Sequence, residues 1–432
     1  MRTDGDGVND DAAPSLAQDP EFLRYVAARV LSLVGSIITL IALPVLIYRM
    51  SGSAFLTALV AGLEAAPYAL FGLVAGALSD RWNRKTVMVT ADVLSACLVA
   101  SIPLAYFLDV LTVPHVMAVA FLGPTIGTFF DGAVFGAVPM LVGRQRIAAA
   151  NSYVWSVQGV VEIVMPSVVG VSLAVLHPAS LLVVDALSFA ASAFLIRGIG
   201  RAMHVQREHP ALTVRQLGRD VKVGLEYLWQ HAGVRTMTIV GFTQCIGGGG
   251  FVALMVVWAD RQLDIGTEGL RFGLVYGAWA IGALIASVSL PRLLRGTTPA
   301  KVTLVALPFS AVLGVLTPVW DLWWVAALSL LVWSIAYTMV AINSISYRQQ
   351  VTPEHLLGRV NTAGRMLAWG VGWTGGAFLA GGLSELIGLR GTLFVMTGVA
   401  FVGVVVAWTS PLRRDAGQDS VQRNSSTRSS LS

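Results

Sequence analysis

Apolar residues dominate this chain in long unbroken blocks, and polar residues collect in short links between them. Val30–Tyr48, Phe272–Pro291, Val302–Trp320, Leu322–Tyr347, Met366–Ser384 and Gly391–Leu412 carry no Asp, Glu, Lys or Arg, and Val234–Ala259 carries only Arg235. Ala54–Ser79 holds only Glu64, Thr86–Leu108 only Asp92, and Val110–Gly143 only Asp131. Ile147–Ile196 is too long for one crossing, and His177-Pro178 divides it into a piece with Glu162 and a piece with Asp185. A helix of about 20 residues crosses a hydrocarbon core of about 30 Å. The blocks are apolar on every face and too long for barrel strands, so helix is the expectation for each. The pattern predicts an all-α integral membrane protein of twelve transmembrane helices in two six-helix halves.

Composition agrees: 55% of the 432 residues are hydrophobic and 12% charged, against about 25% charged in soluble domains. The net charge of +5 does not indicate a nucleic-acid partner, because its placement is topological. With the N-terminus inside, only Arg49, Arg261, Arg271 and Arg390 lie outside, and the other 25 of 29 basic residues lie within. Lys and Arg favour the cytoplasmic side, so both termini are expected there. Cys97 and Cys245 fall inside apolar blocks and suggest neither a disulfide framework nor a metal site. No nucleophile–base set, zinc spacing or nucleotide motif is visible, so no enzyme and no cofactor is expected. The glycines Gly247–Gly250 lack the following Lys-Ser/Thr of a phosphate loop and predict close helix approach instead.

Five segments follow: a disordered tail (1–20), an N-terminal six-helix half (21–198), a linker (199–233), a C-terminal half (234–410) and a second disordered tail (411–432). In the linker, Val214, Leu217, Val221, Leu225 and Leu228 recur at helical spacing. They predict an amphipathic helix on the inner leaflet, or a solvated linker helix. The halves repeat weakly at an offset of about 210 residues: Asp80–Arg84 meets Pro291–Arg295, and Leu141–Ser152 meets Val351–Thr362. Duplicated bundles are a transporter architecture.

The link GALSDRWNRKT, Gly76–Thr86, packs Asp80, Arg81, Arg84 and Lys85 into six positions. It resembles the signature loop of the major facilitator superfamily, roughly G-x-x-x-D-R-x-G-R-[RK]. Gly76, Asp80, Arg81, Arg84 and Lys85 match, and Asn83 stands where the family has Gly, as the residue best suited to a left-handed turn. Ala42–Tyr48, Leu182–Phe189 and Ser346–Thr362 are similar to the branch of siderophore, macrolide and secondary-metabolite exporters. The resemblance implies a latch in which Asp80 meets the start of the eleventh span and pairs with Arg359 or Arg365. Gly76 then allows close packing, and Arg81, Arg84 and Lys85 anchor to anionic lipid headgroups. It also implies a monomer in the cell (plasma) membrane.

Ionisable residues at depth are costly and functional by default. Glu64, Asp131 and Glu162 are the expected proton carriers, with Glu64 and Glu162 deepest. Asp92 is expected to pair with the basic loop, and Asp185 to reach water or cap a neighbour. The Arg that many drug–proton antiporters of the superfamily carry in the fourth span is missing. Gln158, Gln244, Trp333, Tyr337, Asn343, Trp369 and Trp373 are candidate cavity residues. The expected function is proton-coupled efflux of an amphipathic small molecule by alternating access. The alternatives are a facilitator or importer of a specific metabolite, or a transport-dead sensor or scaffold.

Overall fold

The computed structural model describes residues 16–79, 82–203, 214–295 and 297–413. Asp80 and Arg81 of the signature loop, like both expected tails beyond these bounds, lie outside the described residues. Among the described residues every regular element is a helix. The long ones are α1 (Pro20–Ser51), α2 (Ala54–Ser79), α3 (Arg84–Phe107), α4 (Val113–Val142), α5 (Ile147–Leu173) and α6 (Pro178–Arg197). After α7 (Val214–Gln230) come α8 (Ala232–Ala253), the short α9 (Met255–Arg261), α10 (Gly269–Leu293), α11 (Pro299–Leu316), α12 (Trp323–Val351) and α13 (Glu354–Arg365). A stretch of π-helix (Met366–Trp373) then leads into α14 (Thr374–Gly398) and α15 (Ala400–Thr409).

Eleven helices among the described residues are long and apolar enough to cross a membrane. The last of them runs 54 residues, Leu356–Thr409, and is broken at Gly388, whose φ of 73° leaves the helical region.

The first span begins earlier than the apolar count suggests. Asp19 caps α1, accepting from the backbone N–H of Glu21 at 3.1 Å and Phe22 at 3.3 Å, and Pro20 occupies the first helical position. Such a cap contributes about 1 kcal/mol. Helix propagation needs only backbone hydrogen bonds, so α1 passes through Arg24 and Arg29 before the charge-free block starts. Gly52 ends α1 at φ 63°, its N–H donating to the Tyr48 carbonyl at 2.8 Å. Asn83 also departs from expectation: its φ is −62°, and its side chain caps α3 by accepting from Lys85 N–H at 3.1 Å and Thr86 N–H at 3.4 Å. The amide serves the helix start, so no left-handed turn is needed there.

Helices α1–α6 pack chiefly on one another, as do α8–α15. The two bundles meet along two seams, α5 against α10 and α2 against α14 with its π-helical entry. The linker helix α7 lies on α13, with Leu228 buried among Val234, Val360 and Ala363. Tyr227 Oη donates to the Val351 carbonyl at 3.1 Å. Leu225 and Leu228 of its stripe are thus packed against protein. The four glycines of α8 bring neighbours close: a Cβ at Gly249 would lie 2.7 Å from the Trp373 carbonyl oxygen.

Candidate functional site: a cavity between the bundles

The face that carries the start of α1 and the end of α15 is called proximal here, and the opposite face distal. On the distal side the bundles are tied together. Tyr48 Oη donates to Asp260 at 2.6 Å, and Arg261 donates to Tyr48 Oη at 3.1 Å and to the Gly52 carbonyl at 2.6 Å. Arg49 pairs with Glu268 at 2.6 Å and donates to Thr267 at 3.1 Å. Below these contacts Gly170 lies against Gly273, so that a Cβ on either would meet backbone within 3.0 Å.

On the proximal side the bundles part around a cavity of about 230 Å3. Its wall includes Tyr25 and Arg29 of α1, Asp131 of α4, Asn151, Trp155 and Gln158 of α5, and Arg365 at the end of α13. Asp131 is the acid of this wall. It accepts a hydrogen bond from Tyr68 Oη at 2.7 Å and faces Arg29 Nη1 at 3.8 Å. The Arg29 guanidinium also lies over the Phe130 ring, 5.3 Å from its centroid. The Arg29 side chain is 17% exposed and Asp131 39%, so the carboxylate keeps open surface toward the cavity while the cation is largely covered.

The other expected coupling residues stand apart. Glu162 is exposed rather than deeply buried. It lies one turn beyond Gln158 on α5 and is not among the residues that line the cavity. Glu64 is half-buried on α2 and close enough to Tyr276 of α10 to interact with its hydroxyl through charge. Among the described residues the partner of Asp92 is not the basic loop but Ser192 of α6, whose Oγ donates to it at 2.6 Å in a buried contact. Asp185 is fully buried, held by the hydroxyls of Thr39 and Ser188. Both carboxyls fasten α6 to its neighbours, because a buried polar group must find a partner within the bundle.

Gly76 lies in α2. Arg84 Nη1 contacts Met140 Sδ at 3.1 Å, and Lys85 Nζ donates to the Ile199 carbonyl at 2.6 Å. Both contacts bind the loop to the first bundle, where the expectation was lipid headgroups. Arg359 presents its backbone to Gly224 of α7, and Arg365, directly before Met366, borders the cavity; their expected partner Asp80 lies outside the described residues.

Among the candidate cavity residues, Gln158 lines the large cavity. Trp333 is buried in an aromatic cluster with Phe251 and Trp279, at centroid distances of 5.1 and 5.3 Å. Gln244 is buried and donates to Ser310 Oγ at 2.9 Å. Gln244, Tyr337 and Trp369 border a smaller pocket in the second bundle. Asn343 is fully buried, and Trp369 stacks on Trp373 at 5.4 Å. Tyr25, Arg29 and Tyr68 were not anticipated. The signal for Arg29 was present in Asp19-Pro20-Glu21, a helix-start pattern that puts Arg29 nearly three turns into α1.

Residues 15–431 match the family described as transmembrane secretion effector. The chain belongs to this branch of the major facilitator superfamily. It is 28% identical over 387 residues to the multidrug efflux pump Tap of Mycolicibacterium fortuitum, covering 88% of this chain and 93% of the relative. It is 29% identical over 222 residues to macrolide efflux protein A of Streptococcus pyogenes, covering 51% of this chain and 54% of that protein. In fold this facilitator resembles an inward-facing bacterial homologue of the iron transporter ferroportin, with a TM-score of 0.70 and 15% identity over 91% of this chain and 98% of that one. It is therefore a multi-pass membrane transporter, closed on its distal face and open on its proximal one.

Proposed function

We propose that this facilitator exports an amphipathic small molecule in exchange for protons. The proximal face, to which nearly all Lys and Arg belong, is cytoplasmic in this reading. The 54-residue stretch broken at Gly388 crosses twice, giving twelve spans in two halves, residues 21–198 and 234–410. The protein works as a monomer in the plasma membrane. The efflux pumps it is similar to support the direction of transport.

The observation that carries the reading is Asp131 at 39% exposure on the cavity wall, with Arg29 at 3.8 Å rather than in tight contact. An ion pair that loose leaves the carboxylate available. A proton neutralises it, or a cationic group of the substrate pairs with it. The two cannot both hold the charge, and such competition for one group is what antiport requires. Tyr68 keeps the carboxylate turned toward the cavity, and Phe130 holds Arg29 when the carboxylate is neutral. The substrate enters from the cytoplasm, the proximal side closes over it, and the distal ties between α1 and α9 open to release it. The twelve-span bundle needs no bound cofactor for this cycle.

The test is accumulation of ethidium and erythromycin in pump-deficient bacterial cells expressing the chain. Wild type lowers accumulation, an uncoupler abolishes the effect, and Asp131→Asn at equal expression removes it. Lowered accumulation that survives both the uncoupler and Asp131→Asn overturns the proton-coupled reading.

A further inference from the structure

A second cation of the cavity region has no counterion among the described residues. Arg348 on α12 is 3% exposed, and among the described residues its Nε and Nη1 have no hydrogen-bond partner. A guanidinium withdrawn from water is costly unless an acceptor arrives. The surrounding residues are built around it. Gly364 of α13 lies against the guanidinium so closely that a Cβ there would collide with Nη1 and Cζ. Ser344, one turn earlier on α12, is buried with its hydroxyl unpartnered. These groups border a pocket of about 20 Å3, room for one water-sized group. No described residue on its wall is acidic, and Arg365 supplies a second guanidinium. Arg365 borders the large cavity as well, so its side chain stands between this small chamber and the large cavity.

We propose that this chamber receives a carboxylate, or an equivalent singly charged oxyanion, carried by the transported molecule. One oxygen fills the chamber against the open N–H groups of Arg348 and the Ser344 hydroxyl, and the other turns to Arg365. Paired guanidiniums suit the planar acceptor geometry of a carboxylate. The proposal rests on the reading of the large cavity as the transport path. With Asp131 also on the wall of the large cavity, the cavity selects an amphiphile that bears a cationic and an anionic group.

The experiment uses the full chain in lipid nanodiscs, with 1-naphthoate as the anionic probe and 1-naphthamide as its neutral match. Binding is read by tryptophan fluorescence, since Trp369 borders the chamber, and by thermal unfolding. Naphthoate binds saturably and the amide at least tenfold more weakly. Arg348→Gln and Gly364→Ala each weaken naphthoate binding at least tenfold. Arg348→Gln unfolds at no lower temperature than wild type, because it removes an unpaired buried charge. Equal binding of acid and amide overturns the proposal, as does naphthoate binding that survives both variants. Chloride, set against gluconate at equal ionic strength, distinguishes a free halide. If chloride stabilises the protein as fully as naphthoate, the chamber belongs to the halide and the substrate assignment fails. If Arg348→Gln does not fold, Gly364→Ala carries the test, since it keeps the charge and only fills its space. Binding in nanodiscs needs no flux, so loss of the efflux reading in cells and loss of this one are separately visible.

Discussion

Tyr48 is the pivot of the distal closure. Tyr48→Phe removes the hydroxyl that donates to Asp260 at 2.6 Å and accepts from Arg261 at 3.1 Å, while the ring stays in place. Hydrogen bonds to charged groups contribute about 1.5–3 kcal/mol each, but this site is only partly buried, and exposed ion pairs give about 0–1 kcal/mol. A loss of about 2 kcal/mol for both bonds is the expected sum. All of it falls on the distally closed state, because the contacts join α1 to α9 across the bundles. The ratio of closed to open distal faces then drops about 30-fold. Spin labels on Val110 and Leu322, exposed positions in opposite bundles, report the change as a longer distance in pulsed dipolar spectroscopy. The background carries Cys97→Ser, while Cys245 is buried. Adding Arg49→Gln removes the tie to Glu268 and moves the distribution further the same way. Unchanged distances in both the single and the double variant refute the closure.

The Asp19 carboxyl is pushed up by burial, but the Arg201 hydrogen bond and charge, with the two capping N–H groups, outweigh this and hold it below the ordinary 3.8. A lowered carboxyl stabilises the fold fully above its ordinary value and loses that contribution as pH falls through the lowered one. Thermal unfolding of the purified protein should therefore show a loss below about pH 4 that Asp19→Asn lacks; Asn still caps the helix, so the variant costs at most about 1 kcal/mol near neutrality, from the lost charge pairing with Arg201. Gly249→Val puts side-chain atoms where the Trp373 carbonyl lies 2.7 Å from even a Cβ, so α8 separates from the π-helical turn. Fluorescence size-exclusion chromatography should show the folded fraction falling severalfold. Asp185→Asn keeps one acceptor oxygen for Thr39, and Ser188 still donates to the backbone carbonyl of that position at 2.8 Å, so ethidium efflux should fall less than twofold where Asp131→Asn abolishes it.

The helical blocks were readable because a membrane span is a local property. Length, hydropathy and Lys/Arg placement decide it without reference to any neighbour, and Gly76, Arg84 and Lys85 carry the family likeness in a contiguous stretch. The linker helix was readable from Val221, Leu225 and Leu228, but the cover on its stripe was not, because α13 is about 130 residues away in the chain. Position along the spans set Glu64, Asp131 and Glu162 apart from Asp92 and Asp185, but the partners of these five carboxyls were hidden for the same reason. Asp92 and Asp185 proved to be fasteners because Ser192 and Thr39 happen to face them, Glu64 lies at a seam, and only Asp131 meets Arg29 and Tyr68 on a cavity wall. Arg348 was passed over entirely, since its sequence neighbourhood is that of an ordinary basic helix end. Tertiary packing alone buried it, set Gly364 against it and left its N–H groups without an acceptor. Burial and pairing depend on which helices meet, and in a bundle of apolar cylinders those meetings are decided by shape across the whole chain.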